Sequence, residues 1–318
     1  MSHYTHLTID EREKAMVMRE RGEKQAKIAR ELGRSRATIS REFARNTGKN
    51  GYSAHAAQKK YQRRKKRCGV KRIFANSKLA AYVEERLNLQ WSPEQIEGRA
   101  RLEGYPIPFS FVSIYRAVEA RVLPISLHKQ MRIKSKKRSR KTDDKRGKIT
   151  DCLTIHDRPS SVEDRQEVGH WESDSVLGRR KTGSIGTHVE RKTGFLVAFK
   201  MDNRQGDAFK DATIHAFESI PQTYKKSFTV DRGVEFYSHK QLSMQTGMDV
   251  YFCDPYKPWQ RGTNENTNGL LRQYFPKGSS FLDMTQTSLQ QVVDRLNDRP
   301  RKRLGFRTPR EIFLACCT

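Results

Sequence analysis

Three acidic residues stand where carboxylates could do metal chemistry: Asp174 in HWESDSVLG, Asp231 in DRGVEF and Glu265 in NENTNGLLRQYF. Carboxylates brought to one spot repel one another and stay protonated unless a cation neutralises them, and bound divalent ions reverse that logic. Two oxygen-ligated ions roughly 3.5–4 Å apart can activate an attacking oxygen and stabilise a leaving one in phosphodiester displacement. Mg²⁺ suits such hard ligands because it shares its shell with water and substrate phosphate, with Mn²⁺ able to substitute. Each acid also has a plainer reading. Asp231 precedes Arg232-Gly233 and could be a turn residue, and Glu265 near a helix start could complement the helix dipole. Asp174 has a rival in Glu172, two residues away and therefore on the same face of a strand. Asp202 and Asp254 lie beside turn signals and read as structural.

The elements that must position these acids follow from hydrophobic patterning. HWESDSVLG alternates as a strand does, and HVERKTGFLVAFKM reads as two strands joined by a turn at Lys192-Thr193-Gly194. A helix over DAFKDATIHAFESI follows, with Asp207 as its cap, then the short strand SFTV that ends at Asp231. Helix SHKQLSMQTG, strand MDVYFC and turn DPYKP lead to the helical stretch that holds Glu265, Leu270, Leu271 and Arg272. Three antiparallel strands, then helix, strand, helix, strand and helix, is the order of an α/β ribonuclease H-like fold. That fold sets one carboxylate mid-strand, one at the end of the adjacent strand and one on the facing helix. His170 reads as structural or as a DNA neighbour. Tyr256 and Trp259 could equally stack on a displaced base or pack against the last helix.

Ahead of this region the chain is helical and basic. Its 63 Lys and Arg against 36 Asp and Glu leave a net charge of +27 over 318 residues, an excess that points to a polyanionic partner, nucleic acid first among them. Thr8 and Glu11 have capping-box spacing, KQAKIARELG stops at Gly33, and Ser35 can cap SRATISREFAR. The spacing of Ala29, Gly33 and Ile39 suits a helix-turn-helix with Ile28, Leu32, Ile39 and Phe43 inward. Arg36, Thr38, Ser40, Arg41 and Arg45 then face outward, within reach of phosphates and base edges in a major groove. The run at 59–72 holds nine basic residues and suits phosphate contacts or a solvated linker. Ser92, Pro93 and Gln95 open a second helical unit, whose later helix SFVSIYRAVEARV would turn Phe111, Ile114, Tyr115 and Val118 inward. Residues 129–148 carry eleven Lys and Arg, two acids and almost nothing to bury, so they read as a linker. The expected organisation is a helix-turn-helix domain at 1–50, a basic segment and second helical DNA-binding unit at 51–128, a linker at 129–150, and the catalytic domain with a helical tail at 151–318. The five cysteines have neither zinc nor disulfide spacing, and no apolar run approaches a membrane span, so a cytoplasmic protein with no membrane partner is expected.

The stretches GHWESDSVLG, FTVDRGVEF, DPYKPWQRGTNENTNGLLRQYFPKG and LNDRPRKRLGFRTPREIF resemble transposases of the insertion sequence 30 family. The separations agree, with 56 residues between Asp174 and Asp231 and 33 between Asp231 and Glu265. Ser173 and Ser175 stand where that family more often has glycine and an apolar residue. The resemblance implies a DDE catalytic triad of Asp174, Asp231 and Glu265 that holds two Mg²⁺ ions, and a basic DNA contact at Arg272. It further implies binding to double-stranded DNA (the element's terminal inverted repeats and the target), end cleavage, and joining of the freed 3′-hydroxyl without a covalent protein intermediate. Two ends must meet, so a homodimer or higher oligomer is expected. The competing readings are a ribonuclease H-like nuclease that only hydrolyses and a helix-turn-helix regulator without catalysis.

Overall fold

The computed structural model describes residues 5–67, 73–106, 108–123, 152–203 and 205–316, so the expected linker at 129–150, the end of the basic run, Cys68 and Cys317 lie outside the described residues. Two compact units emerge, Met1–Ala80 and Ala81–Thr318. No described helix is long and apolar enough to cross a membrane.

The first unit holds α1 (Ile9–Glu20), α2 (Gln25–Glu31), α3 (Arg36–Asn46) and α4 (Ala54–Arg67). Thr8 Oγ1 accepts from the Glu11 amide at 3.2 Å while Glu11 Oε2 accepts from the Thr8 amide at 2.7 Å, so the predicted capping box starts α1. Gly33, at φ +59, makes the turn between α2 and α3 that a side chain would strain. Ser35 caps α3 by accepting from the Thr38 amide. Ile28 and Ile39 are fully buried with Ala15, Ala29 and Phe43, and Leu32 packs partly against them. The basic run, left open between linker and phosphate contact, continues as α4, whose Ala54 and Ala57 are buried while Lys59, Lys60 and Arg63 are exposed.

Helix α5 (Ser77–Asn88) straddles the boundary; α6 (Pro93–Leu102) and α7 (Phe111–Glu119) follow. Ser92 and Gln95 form the predicted capping box. In α7 the inward residues are Ile114, Ala117 and Val118, whereas Phe111 and Tyr115 are 37 % and 40 % exposed, a correction to the expected face. The α6 region is tied to the C-terminal segment. Gln95 Nε2 donates to the Pro300 carbonyl at 2.7 Å, and the Arg99 guanidinium forks onto Glu311 at 2.7 and 2.8 Å.

The expected catalytic region is built on a six-stranded sheet in the order β1-β6-β5-β2-β3-β4. Its elements are β1 (Leu153–Thr154), α8 (Ser160–Glu163), β2 (His170–Leu177), β3 (Ser184–Glu190), β4 (Leu196–Met201), α9 (Gly206–Phe217), β5 (Ser227–Val230), α10 (His239–Thr246), β6 (Asp249–Phe252), α11 (Gly262–Tyr274), α12 (Gln286–Asn297) and α13 (Pro309–Ala315). β2, β3 and β4 form the predicted antiparallel meander, and β5 and β6 add parallel to β2. The cap of α9 is Gln205 rather than Asp207, which instead accepts from Ser238 Oγ at 2.8 Å. Alternation along β2 separates two cores. Trp171 joins Phe209, Phe217, Phe228 and Phe252 on one side; Val176 joins Leu270 and Leu271 of α11 and Leu289, Val293 and Leu296 of α12 on the other. The edge strand β4 is closed by Asn297, whose side chain accepts from the Leu196 amide at 2.8 Å and donates to its carbonyl at 2.9 Å.

Candidate active site

The register of the two central strands sets the site. β5 runs parallel beside β2 with Glu172 opposite Thr229. Two residues further along each chain come Asp174 and Asp231, at one level and directed to the same face. Both carboxylates reach a single cation. Arg261, the residue before α11, places Nη1 at 3.3 Å from Asp174 Oδ2 and Nη2 at 3.0 Å from Asp231 Oδ2, and Nη1 also donates to the Ser173 carbonyl. The two carboxylate side chains keep 26 % and 25 % exposure, so the corner is open on one side.

Backbone and amide donors orient the acids. Asp174 Oδ1 accepts from the Ser175 amide at 2.8 Å and Oδ2 accepts from Asn268 Nδ2 at 3.2 Å. Asp231 Oδ1 accepts from the Gly233 amide at 2.8 Å. Burial pushes the Asp174 carboxyl above its ordinary range; Arg261 opposes that shift, and Asp231 and Glu235 add to it. Burial works against the charge of Arg261, yet Asp174 and Asp231 hold its pKa above the usual arginine value.

Glu172, the rival to Asp174, has a different setting. It is fully buried, accepts from Arg191 Nη1 at 2.6 Å and from the Asn264 amide at 2.8 Å, and thereby locks the start of α11 onto β2. From there α11 runs alongside β2, with Asn264 at Glu172, Asn268 at Asp174 and Arg272 Nη2 donating to the Leu177 carbonyl at 2.8 Å. Glu265, in the first turn of α11, is exposed, with no hydrogen bond or ion pair among the described residues. The structure therefore brings Asp174 and Asp231 onto one guanidinium and leaves Glu265 at the rim. Among the described residues no three His, Cys, Asp or Glu side chains are grouped so as to hold a metal ion.

Sequence reasoning passed over Arg261, Asn268 and Glu235. Glu235 is buried and accepts from Ser175 Oγ at 2.7 Å. A Cβ on Gly233 would meet the carboxylates of Glu235 and Asp231 and force them to shift. Its place in DRGVEF, two residues past that glycine, was the available signal. His170 is buried against Ser227 Oγ at 2.8 Å, and burial lowers its pKa to about 4, as suits a structural residue. Tyr256 and Trp259 are 82 % and 68 % exposed, so neither is buried against α11. In the first unit Arg36, Ser40, Arg41 and Arg45 are exposed on α3 and Thr38 is half-buried. A cavity of about 560 Å³ between α3 and α4 is lined by Thr38, Arg41 and Arg45 with Tyr61, Arg64 and Lys65.

Residues 3–46 match the family described as helix-turn-helix domain, and residues 164–258 match the integrase core domain. The chain is 37 % identical over 280 residues to the transposase of insertion sequence element IS30C of Escherichia coli (strain K12), covering 85 % of this chain and 73 % of that one. The chain belongs to the insertion sequence 30 family of transposases. Its likeness to the transposase of element IS1086 of Cupriavidus metallidurans is also 37 %, over 84 % of this chain and 81 % of the relative. That of element IS4351 of Bacteroides fragilis is 34 % identical over 82 % and 80 %. Among solved structures the catalytic core domain of BIV integrase covers 46 % of this chain and 95 % of that one at 19 % identity and a TM-score of 0.37. Membership of this family implies DNA binding and dependence on a divalent metal. In this transposase Arg261 and Glu265 both lie beyond the residues matched to the integrase core.

Proposed function

We propose that this transposase cleaves and joins DNA with Asp174, Asp231 and Glu265 as its three catalytic carboxylates. The observation that carries the reading is the pairing on one guanidinium of Asp174, within β2, and Asp231, just past the end of the parallel strand β5. A half-buried corner that joins two carboxylates needs a cation, and its donors are hard oxygens, so the residues fit Mg²⁺ with Mn²⁺ as substitute, two ions to a site. Bound there, the ions would supply Lewis acidity to the attacking and leaving oxygens of the phosphodiester. Asn268 and the Ser175 amide hold Asp174 in one orientation and the Gly233 amide holds Asp231. Glu265, on the rim of α11, completes the set when DNA is seated.

Two displacements follow. Water attacks phosphorus at the element's end and the bond to the 3′-oxygen breaks, which leaves a 3′-hydroxyl. That hydroxyl then attacks a target phosphodiester and expels the target's own 3′-oxygen. Arg36, Thr38, Ser40, Arg41 and Arg45 on α3 read the terminal inverted repeats, and Arg272 contacts DNA from the end of α11. Trp259 and Tyr256, both exposed, suit stacking on an unpaired base. The accompanying organisation is recognition by 1–50 and 51–128, a linker at 129–150 and catalysis by 151–318. A homodimer or larger assembly brings two ends together.

The test is strand transfer with labelled end-bearing oligonucleotides and a plasmid target. Joined product is expected with Mg²⁺ and none with EDTA or with Asp231→Asn. Equal product from Asp231→Asn would overturn the assignment, and cleaved ends without joining would leave a hydrolase.

A further inference from the structure

A second site lies on the far side of the helix that carries Glu265. A cavity of about 230 Å³ is lined by Arg165, Arg301 and Arg303 together with Thr263, Asn266 and Thr267 of α11, and no acidic residue lines it. Thr263 is 7 % exposed, and its hydroxyl has no hydrogen-bond partner among the described residues. A buried hydroxyl without a partner in the protein is free to bond a ligand atom. Thr263 also sits in the first turn of the 13-residue α11, where the helix dipole favours an anion.

The two outer arginines are set for the same ligand. The Arg165 side chain makes no hydrogen bond or ion pair among the described residues, and the backbone there takes φ +55, a left-handed conformation that non-glycine residues seldom adopt. Arg303 Nη1 donates to the Lys192 carbonyl at 2.9 Å, and its other nitrogen rests over Gly194, where a Cβ would displace it. Burial, and then the neighbouring charge of Arg165, hold Arg303 below the ordinary arginine range. Like charges held together in a partly desolvated hollow are relieved by an anion.

We propose that this cavity takes one phosphate group of a DNA backbone, gripped by Arg165 and Arg303 and by the hydroxyl of Thr263. The proposal rests on the reading that DNA is the substrate. A phosphate seated here would fix a strand against α11 one side away from Glu265, and so hold the DNA in register with the acids without itself reacting.

The test is binding of the full chain to a fluorescent duplex without divalent metal, at a series of salt concentrations. Arg165→Gln/Arg303→Gln is compared with a charge-matched control, Lys302→Gln/Arg307→Gln, drawn from exposed neighbours that do not line the cavity. Loss of one phosphate contact makes the slope of log affinity against log salt shallower by about one unit. That loss is expected for the cavity variant and not for the control; equal slopes in both, or a change in the control alone, overturn the site. Wild type that binds no duplex at all overturns the DNA reading itself. Should Arg303→Gln lower the melting temperature, Arg165→Gln alone decides, because that side chain supports no neighbour among the described residues. Inorganic phosphate at fixed ionic strength separates a free anion from DNA. If it raises the wild-type melting temperature while the duplex slopes stay equal, the cavity is a free-anion site and the DNA proposal fails.

Discussion

Replacing Arg261 by glutamine removes a cation that Asp174 and Asp231 share. Taking away one partner of a buried ion pair costs about 3–5 kcal/mol, because the charge left behind stays desolvated without that partner. Here the carboxylate side chains keep 26 % and 25 % exposure, so water screens part of their repulsion and the expected loss falls to about 2–3 kcal/mol. The assay is urea unfolding in EDTA, followed by the fluorescence of the fully buried Trp171. The midpoint should drop with the slope unchanged, since the fold and the surface it buries are retained. Mg²⁺ then discriminates. In wild type a metal ion must displace the guanidinium from both acids, whereas in Arg261→Gln it need not. A difference of about 2 kcal/mol makes the Mg²⁺ concentration for half-maximal stabilisation about 30-fold lower in the variant. Equal stability in EDTA, or equal Mg²⁺ dependence, would refute the reasoning, for then Arg261 is not what balances the two acids.

Other expectations follow from single side chains. His188 is fully buried, with hydroxyls of Ser173 at 2.6 Å and Thr213 at 3.0 Å on its two ring nitrogens, and burial lowers its pKa to about 3. Its unfolded pKa is about 6.5, so its stabilisation is complete above that pH and is lost as pH falls toward 3; between pH 7 and 5 the wild type should lose about 2 kcal/mol relative to His188→Gln in paired urea titrations. Asn297→Leu leaves both backbone groups of Leu196 without the side chain that satisfies them, an expected cost of about 2–6 kcal/mol by the same unfolding assay. Ile39→Ala opens a cavity between α2 and α3 worth about 2–5 kcal/mol, and hydrogen exchange should accelerate at α3 amides while β3 amides keep wild-type rates.

Much of this was legible in the residues because local rules and global fold agree. The capping boxes at Thr8 and Ser92 read directly, since they need only a hydroxyl and an acceptor three residues on. The meander and the parallel additions also read from alternation and turn residues. What could not be read were contacts that depend on register between distant segments. Arg261 ends a short 3-10 turn, and nothing local tells that it spans the 3.0–3.3 Å to carboxylates on β2 and after β5. Glu172 and Asp174 share one face, and only the partner Arg191, which follows β3, separates a locked ion pair from an open corner. The face of α7 was misjudged because aromatic residues at helical spacing look inward by type, while the small Ala117 is what fits against its neighbours. Arg303 lies in the stretch LNDRPRKRLGFRTPREIF, but the cavity it lines required the position of Gly194, over a hundred residues earlier.

The most direct test of the account is strand transfer by Asp174→Asn, Asp231→Asn and Glu265→Gln, each checked for wild-type affinity to end-bearing duplex. All three should bind DNA and form no joined product in Mg²⁺, a loss of several orders of magnitude for each. Glu265 is the critical arm, because its carboxylate is the one that stands apart on the rim. Joined product from Glu265→Gln at the wild-type rate would contradict the account.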